Sequence, residues 1–467
     1  MTRFLLLITV SLLALTGYTQ NSYPVTYQAL REYEGLYRFM DNSTLTLAAS
    51  PKDSILYALF HNRPFPLSAT GKDVFLDVSR SEVRFYRNVN GSIAGYIAHK
   101  DSFPLLDKNV IQPITRWYPR MNAAWQYKTP DDLHDGLPVG STQQAGLDTT
   151  ILSRMVRKII AGDYPDVHSI LILKEGRLVS EEYFYQYTRD SLHELRSATK
   201  SFVSALTGIA INKGYLKSVN ESVVSWFPEY RLQNQSPLKS RITVANMLAN
   251  ASGLDCDITN PHSAGDEEVM DHSDDWVKFT LDLPMLDSPG ITGRYCSGNP
   301  ITIGRVLEKA TRQPLPQFAK KYLFTPLGIQ HYQWDFHPNR SNAEEYCQLY
   351  LRPRDIAKFA VLYLDQGKWK GQQVIPASWV QDSWKKHSVV EGIDYGYLWW
   401  LKYLDAGGVR IYGKAAQGNG GQKIYIWPDL HMAVVITAGS YNRQSSSDLL
   451  ISTYILPALQ AKTALAQ

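Results

Sequence analysis

Apolar and polar positions along the first hundred residues fall in short runs broken by turn residues. Further on, the apolar positions recur with a helical period, and this change divides the chain. Thr44-Leu45-Thr46-Leu47, Ile55 to Phe60, Val74 to Val78 and Val83 to Tyr86 are rich in β-branched and aromatic residues, which suit a pleated, half-buried surface. Ser50-Pro51-Lys52-Asp53, Ala69-Thr70-Gly71-Lys72 and Asn88-Val89-Asn90-Gly91 separate them. The pattern predicts a small antiparallel β domain over residues 21–105, a partial barrel in outline. Its Tyr and Phe side chains either line a ligand groove or, as strand spacing favours, form a core. Residues 106–145, with Pro113, Pro119, Pro130, Pro138 and Gly140, read as a linker wrapped on the surface.

A second domain is expected over residues 146–467. Ile151, Leu152, Met155, Val156 and Ile159 share one helical face, with Asp148 or Thr149 as the cap. Val167 to Leu173 and Arg177 to Phe184 flank Lys174-Glu175-Gly176, a hairpin with a tight turn. Phe202, Val203, Leu206, Ile209 and Ala210 predict a helix that buries one face and stops at Gly214; Ser197-Ala198-Thr199-Lys200 opens it. Thr243 caps a helix leading into Asn250-Ala251-Ser252-Gly253-Leu254, and Ile301, Ile303, Val306 and Leu307 mark another. Lys423 to Trp427 and Met432 to Thr437 form a late hairpin around Pro428-Asp429. Its first strand is entered through Gly418, Gly420 and Gly421, which let another backbone or a substrate approach closely. A last helix runs from about Ser446 to Leu459. Between residues 255 and 294 the chain reads as irregular. Asp266, Glu267, Glu268, Asp271, His272, Asp274 and Asp275 show no regular ligand spacing there, so a solvated acidic loop is expected rather than a metal site.

Composition narrows the function classes. Of 467 residues, 44% are apolar and 20% charged, an ordinary globular balance. With 48 basic against 44 acidic residues and no dense Lys/Arg run, nucleic acid is not an expected partner. Met1-Thr2-Arg3 followed by the apolar run Phe4 to Leu15 has the form of a secretory signal peptide over residues 1–20, cleaved between Gly17 and Gln20. The run is shorter than the roughly 20 residues of a membrane span. No later stretch is long and apolar enough to be one, so a periplasmic or secreted protein is expected. Cys256, Cys296 and Cys347 leave two outcomes open: one pair in an oxidising compartment, or three buried thiols.

The candidate chemistry centres on Ser197 and Lys200, three apart and hence neighbours on one side of a helix. A lysine can deprotonate a serine only when burial or a nearby cation lowers its pKa. Ser-x-x-Lys is too short to carry a function alone. Followed by Tyr295-Cys296-Ser297 and by the glycine-rich Gly418-Asn419 entry, however, it resembles the serine β-lactamase and penicillin-binding-protein superfamily. The nearest likeness is to the class C-like branch of esterases, D-aminopeptidases and 6-aminohexanoate-dimer hydrolases. His193 to Ser201, Met247 to Leu254, Leu323 to Ile329 and Leu351 to Phe359 look like segments of that branch, and the likeness covers about residues 145–460.

The resemblance implies an α/β fold with an antiparallel sheet flanked by helices. It implies a Ser197 nucleophile that forms an acyl-enzyme, with Lys200 taking or relaying its proton. Tyr295 would pass that proton to the leaving group. Lys200 and Tyr295 are both candidates for the general base and would titrate as a coupled pair. Ser297 stands where many relatives have Asn, with a hydroxyl in reach of Lys200. The oxyanion donors would be the backbone N–H groups of Ser197 and of Asn419, next to Gly418. Where β-lactamases and transpeptidases carry Lys-Thr-Gly or His-x-Gly, this chain has Ala416-Gln417-Gly418. The cation that would meet a substrate carboxylate is missing, which favours a neutral ester or amide, whether a small molecule or a peptide. Tyr395 to Trp400 would either wall an acyl pocket or pack in the core. A Cys256–Cys296 disulfide follows from the same likeness, with Cys347 free. No metal or organic cofactor is implied. Two alternatives are a binding or sensor protein that has lost turnover and a transacylase.

Overall fold

A computed structural model describes residues 23–40, 43–60, 63–110, 112–120, 124–343 and 345–459, so the expected signal peptide lies outside the described residues. The chain divides into two compact units, residues 1–121 and 122–467.

The first unit is an all-β barrel. Its strands are β1 (Gly35–Arg38), β2 (Thr44–Ser50), β3 (Ile55–Phe60), β4 (Arg63–Gly71), β5 (Val74–Leu76), β6 (Glu82–Arg87), β7 (Ile93–Ala98) and β8 (Asp101–Asp107). Each pairs antiparallel with the next, and β8 returns to β1 through Leu36↔Asp107 and Tyr37↔Leu105. The barrel is therefore closed, not partial. Eight strands enclose a space just wide enough for side chains, and here aromatic rings fill it. Tyr37 and Tyr96 lie 5.4 Å apart, Phe75 and Phe85 5.4 Å, and Tyr96 and Phe103 4.9 Å, all buried. They are core, and the groove reading does not hold. Pro64 and Pro66 hide β4 from pattern reading. They are tolerated because β4 pairs with β5 only from Ser68 onward, so that end has one neighbour.

The second unit holds β9 (Val167–Lys174), β10 (Arg177–Tyr183), β11 (His193–Glu194), β12 (Tyr332–Trp334), β13 (Leu349–Leu351), β14 (Lys368–Trp369), β15 (Gln372–Gln373), β16 (Ser388–Val390), β17 (Ile393–Tyr395), β18 (Trp400–Ala406), β19 (Val409–Gly418), β20 (Gln422–Trp427) and β21 (Met432–Ala438). Eight of these form an antiparallel sheet in the order β10-β9-β21-β20-β19-β18-β17-β16, while β11, β13 and β12 form a small separate sheet. Asp148, not Thr149, caps the helix Thr149–Ile160 by accepting from the Thr150 N–H at 2.7 Å. The helix Thr199–Asn212 is buried from Thr199 to Ala210, not on one face alone, because the Gly298–Thr311 helix and β19 pack against it. Phe202 stacks on Phe359 within that layer at 3.8 Å.

Three sequence expectations change. Residues 255–294 are not a solvated loop. Asp266 and Asp275 cap two short helices, Glu267–Asp271 and Trp276–Asp282, and so spend their charge on backbone N–H groups. The end of the expected linker belongs to the body: Leu178 donates its N–H to the Pro138 carbonyl, Gly140 donates to the Leu178 carbonyl, and Leu137 is buried. Gly418 closes β19 rather than opening β20; Gly420 and Gly421, with φ of +91° and +96°, make the turn between them. Among the described residues no helix is long and apolar enough to cross a membrane.

Candidate active site

Ser197 sits in the single turn Arg196–Ala198 that feeds the Thr199–Asn212 helix. Several contacts fix this turn. β11 pairs with β13, Leu195 donates its N–H to the Leu349 carbonyl at 2.9 Å, and Thr199 Oγ1 accepts from the Leu349 N–H at 3.1 Å. Arg196 adopts a left-handed φ of 48°, strained for a side chain. Its guanidinium is held by Glu194 at 3.0 Å and over the Tyr346 ring at 4.7 Å. Behind the turn, His193 donates from Nδ1 to the Glu194 carbonyl at 3.0 Å. Its Nε2 therefore accepts from His168 Nδ1 at 2.8 Å, and burial holds the His193 pKa down at about 4.

Lys200 Nζ donates to Ser197 Oγ at 2.7 Å. Lys200 is 7% exposed, and burial pushes its pKa down to about 8; the Glu267 carboxylate opposes that shift and the Arg196 cation adds to it. Tyr295 lies beside the pair, its ring 5.3 Å from Trp400 and 5.2 Å from Lys200 Nζ. Burial raises its pKa, against a hydrogen bond with Ser197 that lowers it, so the phenol keeps its proton at neutral pH. Tyr395 and Trp400 are buried and pack on Tyr295. They are packed as the core reading expects, and neither lines the cleft beside Lys200.

Cys256 and Cys296 form a disulfide with Cα atoms 5.2 Å apart, and Cys347 is a buried free thiol. The bridge anchors the residue between Tyr295 and Ser297. Ser297 does not bond Lys200, contrary to expectation; its Oγ is buried without a hydrogen-bond partner among the described residues. The amine's short contact is to Ser197 instead.

The end of β19 lies directly against the serine turn. A Cβ built on Gly418 would sit 2.1 Å from the Leu195 carbonyl oxygen, so only glycine allows this approach. Asn419 follows at the rim. Its side chain donates to Asn442 Oδ1 at 2.6 Å and accepts from the Asn442 N–H at 2.9 Å, which ties the turn to the β21 exit. Ala416 is buried, and Gln417 accepts from Lys402 at 3.4 Å and from Lys423. No side chain of that segment supplies a cation.

Sequence reasoning missed Glu267, which lines a cleft with Lys200 and Ser297, and it missed the Glu194 brace on Arg196. The first was hidden by reading its segment as a solvated loop. The second carried a weak signal, an acid two residues before an arginine next to the serine. Among the described residues no group of three His, Cys, Asp or Glu is placed to hold a metal ion.

Comparison with known proteins places the fold. The beta-lactamase family model matches residues 153–451. Protein flp of Staphylococcus aureus (strain MW2) is 26% identical over 175 residues, 35% of this chain and 34% of flp, so the chain spans about a third of that relative's length. A family VIII carboxylesterase has a similar fold, with a TM-score of 0.52 and 15% identity over 66% of this chain and 96% of that one. EstCE1, a hydrolase with promiscuous acyltransferase activity, has a TM-score of 0.53 and 15% identity over 67% and 97%. By the reach of its family match and the fold it shares, the chain belongs to the beta-lactamase family.

Proposed function

We propose that the protein is an exported serine hydrolase that cleaves an ester or amide through an acyl ester on Ser197. The observation that carries this reading is the 2.7 Å contact between Ser197 and an amine whose pKa burial lowers to about 8. In the proposed cycle Ser197 Oγ attacks the acyl carbon and its proton passes to Lys200. The bond to the leaving group then breaks, and the leaving atom takes a proton through Tyr295. Water repeats the sequence on the acyl ester, releasing the acid and restoring Ser197. Lys200 is the better base of the two because burial favours its neutral form, while the same burial favours protonated Tyr295. The backbone N–H groups of Ser197 and Asn419 would receive the oxyanion. Ala416 favours a substrate without a carboxylate beside the scissile bond, and the disulfide suits an oxidising, exported compartment.

A fluorophosphonate probe and p-nitrophenyl acetate and butyrate test this reading. The protein should label on the peptide containing Ser197 and turn over both esters, with nitrocefin cleaved poorly; absence of both labelling and turnover would sink the proposal. The pH profile follows from Lys200, which must be neutral to accept the proton. kcat/KM for p-nitrophenyl butyrate should therefore rise with pH and level off above a midpoint near 8. A profile that falls across this range would remove Lys200 as the base.

A further inference from the structure

The turn that carries the Asn419 N–H is held by two side chains outside the proposed proton path. β20 begins at Gln422, opposite Gly418. Its backbone ladder with β21 ends at Lys423↔Ile436, and beyond it lies the separate bridge Gly420↔Ser440. Gln422, 3% exposed, fills the gap with its side chain. Oε1 accepts from the Ala438 N–H at 3.1 Å and Nε2 donates to the Ala438 carbonyl at 2.6 Å, the two-way bond that a strand residue makes with its partner. Nε2 also donates to the Asn419 carbonyl at 3.2 Å. From the other side, Asn442 accepts from Asn419 Nδ2 and donates its backbone N–H to Asn419 Oδ1. Asn419 is thus tied through its carbonyl and its side chain, while its own N–H has no hydrogen-bond partner among the described residues.

We infer that Gln422 and Asn442 are positioning residues for the oxyanion, acting through the Asn419 peptide. The inference rests on the reading above, in which the Asn419 N–H is one of the two oxyanion donors. A donor lowers the barrier most when it already points to where charge develops, because a donor free to turn has to be ordered at every turnover. Gly420 and Gly421, with φ of +91° and +96°, give this turn little stiffness of its own. Ties on the carbonyl and side chain of Asn419 leave rotation about its N–Cα bond, and Gly418, packed against the Leu195 carbonyl, limits that rotation. A packing role alone at Gln422 would be met by an apolar side chain of similar length, without the cost of burying an amide. The buried amide is there for its bonds, and one of these reaches the residue that bears the donor.

The test compares p-nitrophenyl butyrate with the O-p-nitrophenyl thionobutyrate, in which sulfur replaces the carbonyl oxygen. Sulfur is a weak hydrogen-bond acceptor. The ester-over-thionoester ratio of kcat/KM, normalised to hydroxide hydrolysis of the same pair, therefore reads what the oxyanion donors contribute. The parent protein should favour the ester by roughly 100-fold or more. Gln422→Met, similar in length and without donors, should shrink that ratio roughly tenfold, with kcat falling more than KM rises. Asn442→Gly, which suits the φ of 56° at this exposed position, should shrink the ratio in the same sense and serves where Gln422→Met does not fold. A rate loss equal for both substrates, or a ratio that the variants leave unchanged, overturns the inference while leaving the hydrolase reading intact. A ratio near one in the parent removes the oxyanion donors and the inference with them. Turnover of neither substrate overturns the inference and the hydrolase reading together.

Discussion

Ser197→Ala should reduce p-nitrophenyl butyrate turnover by roughly 10⁴- to 10⁶-fold, the scale seen when the nucleophile of a cooperating set is removed. Ser297, a nearby buried hydroxyl, makes no hydrogen bond to Lys200 among the described residues and so has no base to activate it. It cannot take over. In the proposed cycle Ser197 and Lys200 act as one unit, so Lys200→Met should cost nearly as much, and the double variant little more than either single one. An additive double variant would mean that the two side chains serve separate steps. Ser197 is only partly buried in its turn, so its alanine variant should unfold within a few degrees of the parent. Retention of more than a few per cent of turnover by a well-folded Ser197→Ala variant would end the acyl-enzyme proposal.

Gly418→Val should also inactivate, for a steric reason. The first carbon of any side chain there would stand 2.1 Å from the Leu195 carbonyl oxygen and 3.0 Å from Arg196 Cβ. Backbone cannot yield as a flexible side-chain end can, so β19 and the serine turn must separate. That would displace the Asn419 N–H, a proposed oxyanion donor, and loss of one such donor costs about 100- to 1000-fold. Separation also opens packing, so the melting temperature should fall with the rate. Gly418→Ala should already show most of the effect. A Gly418→Val protein with near-parental kcat would place the oxyanion donors elsewhere.

The sequence made some of this legible for identifiable reasons. The order of Ser197, Lys200, Tyr295 and Gly418 pointed to the fold because each residue type is needed by local chemistry or by backbone space. Richness in β-branched and aromatic residues revealed strands such as Ile55–Phe60. It failed for β4, where two prolines stand in a half-paired strand, and for β19, whose first residues are largely exposed. The acidic stretch from Asp266 to Asp275 misled because charge at a helix start looks like charge in a loop until the capped backbone is known. No sequence periodicity could bring Glu267 and Ser297, some thirty residues apart, to one cleft. Tertiary packing of short helices does that. The role of Tyr395 and Trp400 was likewise open, since an aromatic run packs in a core or walls a pocket with the same composition.

The Cys256–Cys296 bridge has a further consequence. It closes a loop with a sequence separation of 40, and that loop carries Glu267, Met270 and Trp276 as well as Tyr295. A closure of this length restricts the unfolded chain by about 4 kcal/mol in the loop-entropy view. That contribution depends on where the loop is pinned and not on the residues strung along it. Side chains inside the hoop can therefore be exchanged in the course of descent without surrendering the stability the bridge provides. The cleft wall beside Lys200 is free to vary while Tyr295, at the fixed end of the loop, stays in place.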